Sequence, residues 1–328
     1  MVAHASAWCA VLAAALALAT ISTSAAPAAQ TGETVQIDFE PQPAARLRDR
    51  ALLEVSGMAT SRRSADVLWV HNDSGSRAVV YAIDAHGHTR GRVQVKGATA
   101  RDWEDMASFV YEGRPMLLVA DIGDNKARRA TVWLHVFEEP ALSGEAADLD
   151  LAADLAWSVP LLFPDGPADC ESVAVDIERS RVLLLTKREN PPRLYEVPLK
   201  PDGALPARGA VQSARLISEV GGIPRPTAED LLADPVFGAY ASQPTAMDLA
   251  GRELVVLTYT RAYRFVAKDG ESWRTALQRP PEPIALPRLK QAEALAFDAN
   301  GRDLFVTSER RSAPLIRLAR RHRVGGQP

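Results

Sequence analysis

The chain has 328 residues, with 38 Lys and Arg against 41 Asp and Glu, for a formal net charge of −3. It is 47% hydrophobic and 24% charged, enough apolar material for a core, which excludes a disordered chain. The slightly acidic balance lacks the basic stripe of a nucleic-acid binder, and 2 Cys cannot build a disulfide framework.

The N-terminus reads as an export signal. The apolar run Ala7 to Ile21 leads into the small residues Ser22-Thr23-Ser24-Ala25-Ala26, and cleavage is expected after Ala25. The run is short for a membrane span, which needs about 20 residues. An uncleaved anchor is the alternative. Residues 1–25 are thus read as a signal peptide and 26–33 as a disordered linker. The mature protein is expected in the periplasm or outside the cell, without a membrane span. Cleavage removes Cys9 and leaves Cys170 as a single thiol.

A repeat organises the remainder. After a strand at Val35-Gln36-Ile37-Asp38-Phe39, an apolar stretch around a small residue recurs at Ser56 to Ala59, Glu104 to Ala107, Glu171 to Ala174, Thr245 to Asp248 and Glu293 to Ala296. A polar turn follows each, then a β-prone run: Val67 to Val70, Met116 to Val119, Val182 to Leu185, Leu254 to Leu257, and Leu304 to Val306. A third strand alternates apolar and polar residues, as in Val80-Tyr81-Ala82-Ile83 and Leu194-Tyr195-Glu196-Val197. Aligning Ala59, Ala107, Ala174, Ala246 and Ala296 gives spacings of 48, 67, 72 and 50. A four-stranded propeller blade takes about 40–50 residues. The two long intervals hold insertions, Ser143 to Asp154 and Pro224 to Gln243, the latter with a short helix at Ala228 to Leu232. The last repeat stops after three strands, and the strand at 35–39 supplies a fourth. The prediction is all-β: one five-bladed β-propeller over 34–320, closed by the N-terminal strand, with a disordered basic tail over 321–328. A six-bladed ring is the alternative.

Propeller topology brings the start of each inner strand and the end of each second strand to one face. The inner-strand starts carry Ser56, Glu104, Glu171, Gln243 and Glu293, with Glu54, Asp102, Asp169, Ala241 and Gln291 two residues earlier. The second strands end in His71-Asn72-Asp73, Asp121-Ile122-Gly123-Asp124-Asn125, Lys187-Arg188-Glu189, Tyr259-Thr260-Arg261 and Ser308-Glu309-Arg310. Two carboxylates about 5 Å apart repel by roughly 3 kcal/mol at an effective dielectric of about 20. A ring of them must be protonated, paired with cations, or bound to a metal. Oxygen ligands without a Cys/His cluster suit Ca²⁺, with Mg²⁺ the alternative. Asp102, Glu104, Asp169, Glu171, Glu293 and Asn125 are the expected metal ligands. His71, Asp73, Asp121 and Asp124 are the catalytic candidates, and Lys187, Arg188, Arg261 and Arg310 the anion-binding ones. Ordinary turn chemistry is the competing reading of the 121–125 loop. Cys170, between Asp169 and Glu171, is set against thiolate formation. No Gly-x-Ser-x-Gly elbow, P-loop, His-Glu-x-x-His or dinucleotide fingerprint occurs.

The motifs Asp102-Trp103-Glu104-Asp105, Asp121-Ile122-Gly123-Asp124-Asn125, Thr186-Lys187-Arg188-Glu189 and Glu293-Ala294-Leu295-Ala296-Phe297 resemble those of the secreted bacterial esterase-like, phytase-related β-propellers. The resemblance spans nearly the whole mature chain. It implies carboxylates holding Ca²⁺ and Lys or Arg holding a phosphate. The expectation is a secreted, monomeric, divalent-metal-binding propeller that hydrolyses a small anionic phosphate or carboxylic ester. The alternatives are a non-catalytic propeller binding a protein, glycan or other extracellular ligand, and a purely structural cation.

Overall fold

The computed structural model describes residues 35–324, apart from 76, 99, 143–148 and 204–209. The expected signal peptide and linker lie outside the described residues.

The chain enters through β1 (Val35–Pro41) and β2 (Ala45–Arg46). The first meander is β3 (Val55–Thr60), β4 (Val67–Asn72), β5 (Val79–Asp84) and β6 (Thr89–Lys96). The second is β7 (Trp103–Tyr111), β8 (Arg114–Asp121), β9 (Val132–Glu138) and β10 (Leu149–Leu162). The third is β11 (Cys170–Asp176), β12 (Arg181–Thr186) and β13 (Arg193–Pro198), then β14 (Gln212–Ser213), which pairs with β10, and β15 (Arg215–Glu219), which completes the sheet. An insertion follows, with α1 (Ala228–Ala233) and a 3₁₀ turn at Gly238–Tyr240. The fourth meander is β16 (Pro244–Ala250), β17 (Glu253–Thr258), β18 (Ala262–Val266), α2 (Trp273–Ala276) and β19 (Glu282–Ile284). The last is β20 (Ala292–Phe297), β21 (Leu304–Ser308) and β22 (Pro314–Val324).

The N-terminal strand does close the last sheet: β1 pairs antiparallel with β22, from Val35 opposite Val324 to Pro41 opposite Leu318. That pairing extends β22 to Val324, so residues 321–324 are strand rather than the tail expected from 321 onward. The expected insertion at 143–154 is corrected as well. Its described part, from Leu149, begins β10, which runs parallel to β6 before turning antiparallel to β9 and so joins the first two meanders in one sheet.

Inner and second strands are buried on both sides; β3, β4, β11 and β20 are buried throughout. This is why they read as continuous apolar runs rather than alternating ones. Each apolar cluster lies between consecutive meanders. Trp69 and Trp103 pack between the first and second, and Met58 and Phe305 between the first and last. The inner strands β3, β7, β11, β16 and β20 are neighbours in that order, and β20 returns to β3. The architecture is mostly β and propeller-like.

Polar staples cross these interfaces. The buried Asp105 carboxylate accepts the backbone N–H groups of Met106, of Val173 at 2.9 Å and of Met247 at 3.1 Å, linking three inner strands. Burial pushes its pKa well up. Asp248 accepts the N–H of Phe297 at 2.8 Å. Trp157 and Trp273 reach neighbouring meanders through Nε1, to the Leu199 carbonyl at 2.9 Å and to Asp176 at 3.0 Å. Such buried indole N–H groups bring apolar area and a satisfied donor together.

Candidate functional site

Every inner strand breaks register at the same place. Pairing jumps between Val55 and Gly57, Trp103 and Asp105, Cys170 and Ser172, Pro244 and Ala246, and Ala292 and Ala294. The skipped residues are Ser56, Glu104, Glu171, Thr245 and Glu293. A bulge bends its strand and re-aims one side chain. Here the repeated bulge places three glutamates at one end of the inner-strand ring. It also corrects the sequence alignment of the fourth repeat by two residues: the equivalent of Glu104 is Thr245, not Gln243. Thr245 donates to the Ala292 carbonyl at 2.8 Å, and Ser56 likewise donates to the Glu104 carbonyl at 2.5 Å.

A second tier comes from the residues after the second strands. Asp73, Lys187, Tyr259 and Glu309 line a cavity of about 160 Å³ together with Ser56, Glu104, Asn125, Glu171 and Glu293. Five of these lining residues are carboxylic acids and one is an amine. Gly123 holds the corresponding place in the second meander, where a Cβ would come within 1.9 Å of Glu104 Oε1.

Carboxylate oxygens of Asp73, Asp102 and Glu104 all lie within 4.8 Å of one another. This Asp/Asp/Glu cluster is able to hold a metal ion. Its donor set is all oxygen, as a hard cation requires. The electrostatics point the same way. Burial raises Asp102 to about 6, helped by Asp73. Burial and then Glu171, Asp73 and Asp102 raise Glu104 well above the carboxylate range. Asp73 is raised too, again chiefly by burial.

Across the cavity, buried Lys187 pairs with buried Glu171 at 2.5 Å, and its Nζ lies 5.0 Å from the Tyr259 ring centre. Burial works against the ammonium, but Glu171 and Glu293 outweigh it and raise the pKa of Lys187. Burial raises Glu171 to about 7 despite Lys187, with Asp169 adding to the rise. Glu293 is likewise raised well above its ordinary range by burial, against the pull of Lys187.

The remaining sequence candidates sit elsewhere. His71 is wholly buried beside Trp103, with Nδ1 3.0 Å from the Asn72 carbonyl, and burial lowers it to about 4. It does not line the cavity, because β4 packs it inward. Asp121 pairs with buried Arg129 at 2.8 Å, and Asp124 accepts the Arg129 backbone N–H at 2.6 Å. These two acids build the 121–129 loop and also stay out of the cavity lining. Asp169 has both oxygens engaged, by the Asp124 N–H at 2.9 Å and Arg188 Nε at 2.5 Å. Arg188 also reaches Asn125. Arg261 is held by Asp230 of α1 at 2.9 Å, and Arg310 donates to Gln291 at 3.2 Å. Of the four expected anion-binding residues, Lys187 alone lines the cavity. Asp73, a catalytic candidate in the sequence, is one of the three acids of the Asp/Asp/Glu cluster. Ser56, Tyr259 and Glu309, which the sequence puts on this face without a role, line the cavity as the equivalents of Glu104, Lys187 and Asp73. Cys170 is buried and free, its Sγ 3.1 Å from the Leu185 carbonyl.

No family model matches the chain, and no curated protein does. Among solved structures, a gluconolactonase from Xanthomonas campestris is similar over 88% of this chain and 99% of that one, at 14% identity and a TM-score of 0.41. The likeness is one of outline.

Proposed function

We propose that the protein is an exported, monomeric, five-bladed β-propeller that binds a divalent cation, Ca²⁺ before Mg²⁺, and hydrolyses an ester on its central face. The meanders are the blades, with β1 completing the last. The observation that carries the reading is the convergence of Asp73, Asp102 and Glu104 at the rim of a cavity rich in carboxylates. These three would hold the cation, and a cation there supplies a Lewis acid and an acidified water. Lys187, beside Tyr259, is placed to stabilise negative charge developing on the substrate. Glu293, buried at the same cavity and raised by that burial well above the ordinary carboxylate range, would be the general acid that gives a proton to the leaving alkoxide.

The cavity favours a neutral carboxylic ester over a phosphate ester. Arg188, Arg261 and Arg310 have protein partners, and five carboxylic acids against one lysine repel a polyanion.

A structural cation is the second reading, because the cluster spans two meanders: Asp73 follows β4, and Glu104 belongs to β7. One experiment separates the two. Melting temperature is measured with EDTA and with Ca²⁺, alongside turnover of a short-chain ester panel. Stabilisation with turnover supports the hydrolase, and stabilisation without turnover supports the structural ion. No Ca²⁺ effect on either removes the metal site.

A further inference from the structure

The 224–243 insertion is built inside out. Asp230 is the buried side chain of α1, whereas Leu231 and Leu232 face solvent, Leu232 at 83% exposure. Val236, Phe237 and Tyr240 are exposed beside them. Among the described residues twelve large hydrophobic side chains are exposed, and five of them fall within these ten positions. A short surface helix ordinarily turns its leucines to the core. A concentrated exposed apolar patch marks a place where something apolar binds.

The insertion is tied to the site. Asp230 holds Arg261 through both guanidinium nitrogens, at 2.9 and 3.1 Å, and the Ala241 carbonyl accepts the Thr260 hydroxyl at 3.2 Å. Tyr259, the next residue back, lines the cavity. Asp230 also accepts the Thr227 N–H at 2.7 Å, closing a capping box that fixes the helix. The buried acid thus anchors α1 to the 259–261 loop and leaves the leucines outward. The cavity itself, about 160 Å³ and walled by polar groups, suits the polar head of an ester and not an apolar chain. An apolar chain on that ester must leave the cavity, and the 259–261 loop that contributes Tyr259 to its wall is the one to which this insertion is tied.

We propose that the 231–240 surface seats the apolar acyl chain of the substrate, so that the protein prefers medium-chain over short-chain carboxylic esters. This rests on the ester-hydrolase reading and adds the substrate class to it. Each methylene fully buried on such a surface raises affinity up to about fourfold.

The test is hydrolysis of p-nitrophenyl acetate, butyrate and octanoate, kept monomeric, by the full chain in Ca²⁺. The expected result is a kcat/KM for octanoate about tenfold or more above that for butyrate. Leu232→Ser with Phe237→Ser should abolish that preference while leaving acetate turnover unchanged. Both side chains are exposed, so the variant keeps its fold. Equal rates across the series, or a preference the variant retains, overturn the inference and leave the hydrolase reading standing. If no ester is turned over, the hydrolase reading fails, and saturation-transfer NMR with methyl octanoate decides the surface. Transfer to the terminal alkyl protons that the variant loses supports the apolar-chain site, and its absence overturns it. Concentration-dependent sedimentation abolished by the variant, with no chain-length effect, makes the patch a self-association face and also overturns the inference.

Discussion

Gly123 stands so close to Glu104 that a Cβ on it would lie 1.9 Å from Oε1 of Glu104 and 2.7 Å from Cγ of Asp102. The other meanders put Asp73, Lys187, Tyr259 and Glu309 in this place. The second meander puts nothing there, and two carboxylates enter the space. Gly123→Ala should therefore fold, since the collision is largely with the mobile end of Glu104, but displace the cluster. Calorimetric titration should give Ca²⁺ binding weaker by about tenfold or more, since ligand geometry governs affinity. Wild-type affinity in this variant would take Glu104 out of the site.

Lys187 and Glu171 form a buried pair, at 7% and 5% side-chain exposure. Removing one partner of such a pair leaves a buried charge and costs about 3–5 kcal/mol. Lys187→Met should lower stability by that order in urea unfolding. Adding Glu171→Gln should recover most of the loss, because the stranded carboxylate is then gone. A double variant no more stable than Lys187→Met would mean that Lys187 acts through Glu293 instead.

The pH dependence has two opposing limbs. Asp102 and Glu171, at 3.8 and 4.5 in the unfolded chain, are raised to about 6 and about 7 by burial. The cation-free fold therefore keeps protons that the unfolded chain has lost, and these acids withdraw stability as pH rises from about 4 to about 7. His71 and His135 are lowered from 6.5 to about 4 by burial, so their contribution is present above pH 6.5 and lost as pH falls toward 4. Ca²⁺ should act on the first limb alone, since binding at the cluster displaces protons. The Ca²⁺-induced rise in Tm is expected to grow steadily from pH 5 to pH 7.5. A shift that stays flat over that range would rule out proton-linked binding at these carboxylates.

The repeat and the closing strand were legible because burial on both sheet faces leaves unbroken apolar runs such as Val182 to Leu185. The face carrying the site was legible too, from acids at the inner-strand starts. The bulge was not. It is a backbone event with no residue signature, so aligning Ala246 with Ala174 puts Gln243, and not Thr245, at the start of the fourth inner strand. Nor does a sequence reveal which acid meets which base. Asp121 and Asp169 look like Glu104 in the chain, yet Arg129 and Arg188 engage them. Arg129 is itself four residues past the motif that drew attention to the loop, and its burial could not be read from the sequence.

Asp105 tests the scaffold beneath the site. Its carboxylate satisfies three buried backbone donors from β7, β11 and β16. Each unsatisfied buried donor costs about 1–3 kcal/mol. Asp105→Ala should lose at least 3 kcal/mol in urea unfolding, on the order of three such donors at the low end. Asp105→Asn keeps one acceptor oxygen for Val173 and Met247 and should lose markedly less. Equal losses for the two variants would show that the site tolerates no amide, and that acceptor count is not what matters.

The ligand set itself is open to a sharper test than metal removal. The sequence spread the cation over a ring of acids, including Glu171 and Glu293. The geometry gathers Asp73, Asp102 and Glu104 within 4.8 Å and leaves Glu293 outside that group. Asp73→Asn and Glu104→Gln each replace an anionic ligand by a neutral one in a low-dielectric setting, and should weaken Ca²⁺ binding about a hundredfold. Glu293→Gln removes an acid across the cavity without removing a member of the Asp73, Asp102 and Glu104 group. Its effect on Ca²⁺ affinity should stay below about tenfold, while ester turnover falls because the proton-carrying group is gone. Calorimetry and turnover on the same three variants therefore have to split. If Glu293→Gln loses Ca²⁺ as fully as Glu104→Gln, the cation sits deeper, between the bulge glutamates, and Asp73 and Asp102 are no more than its outer field.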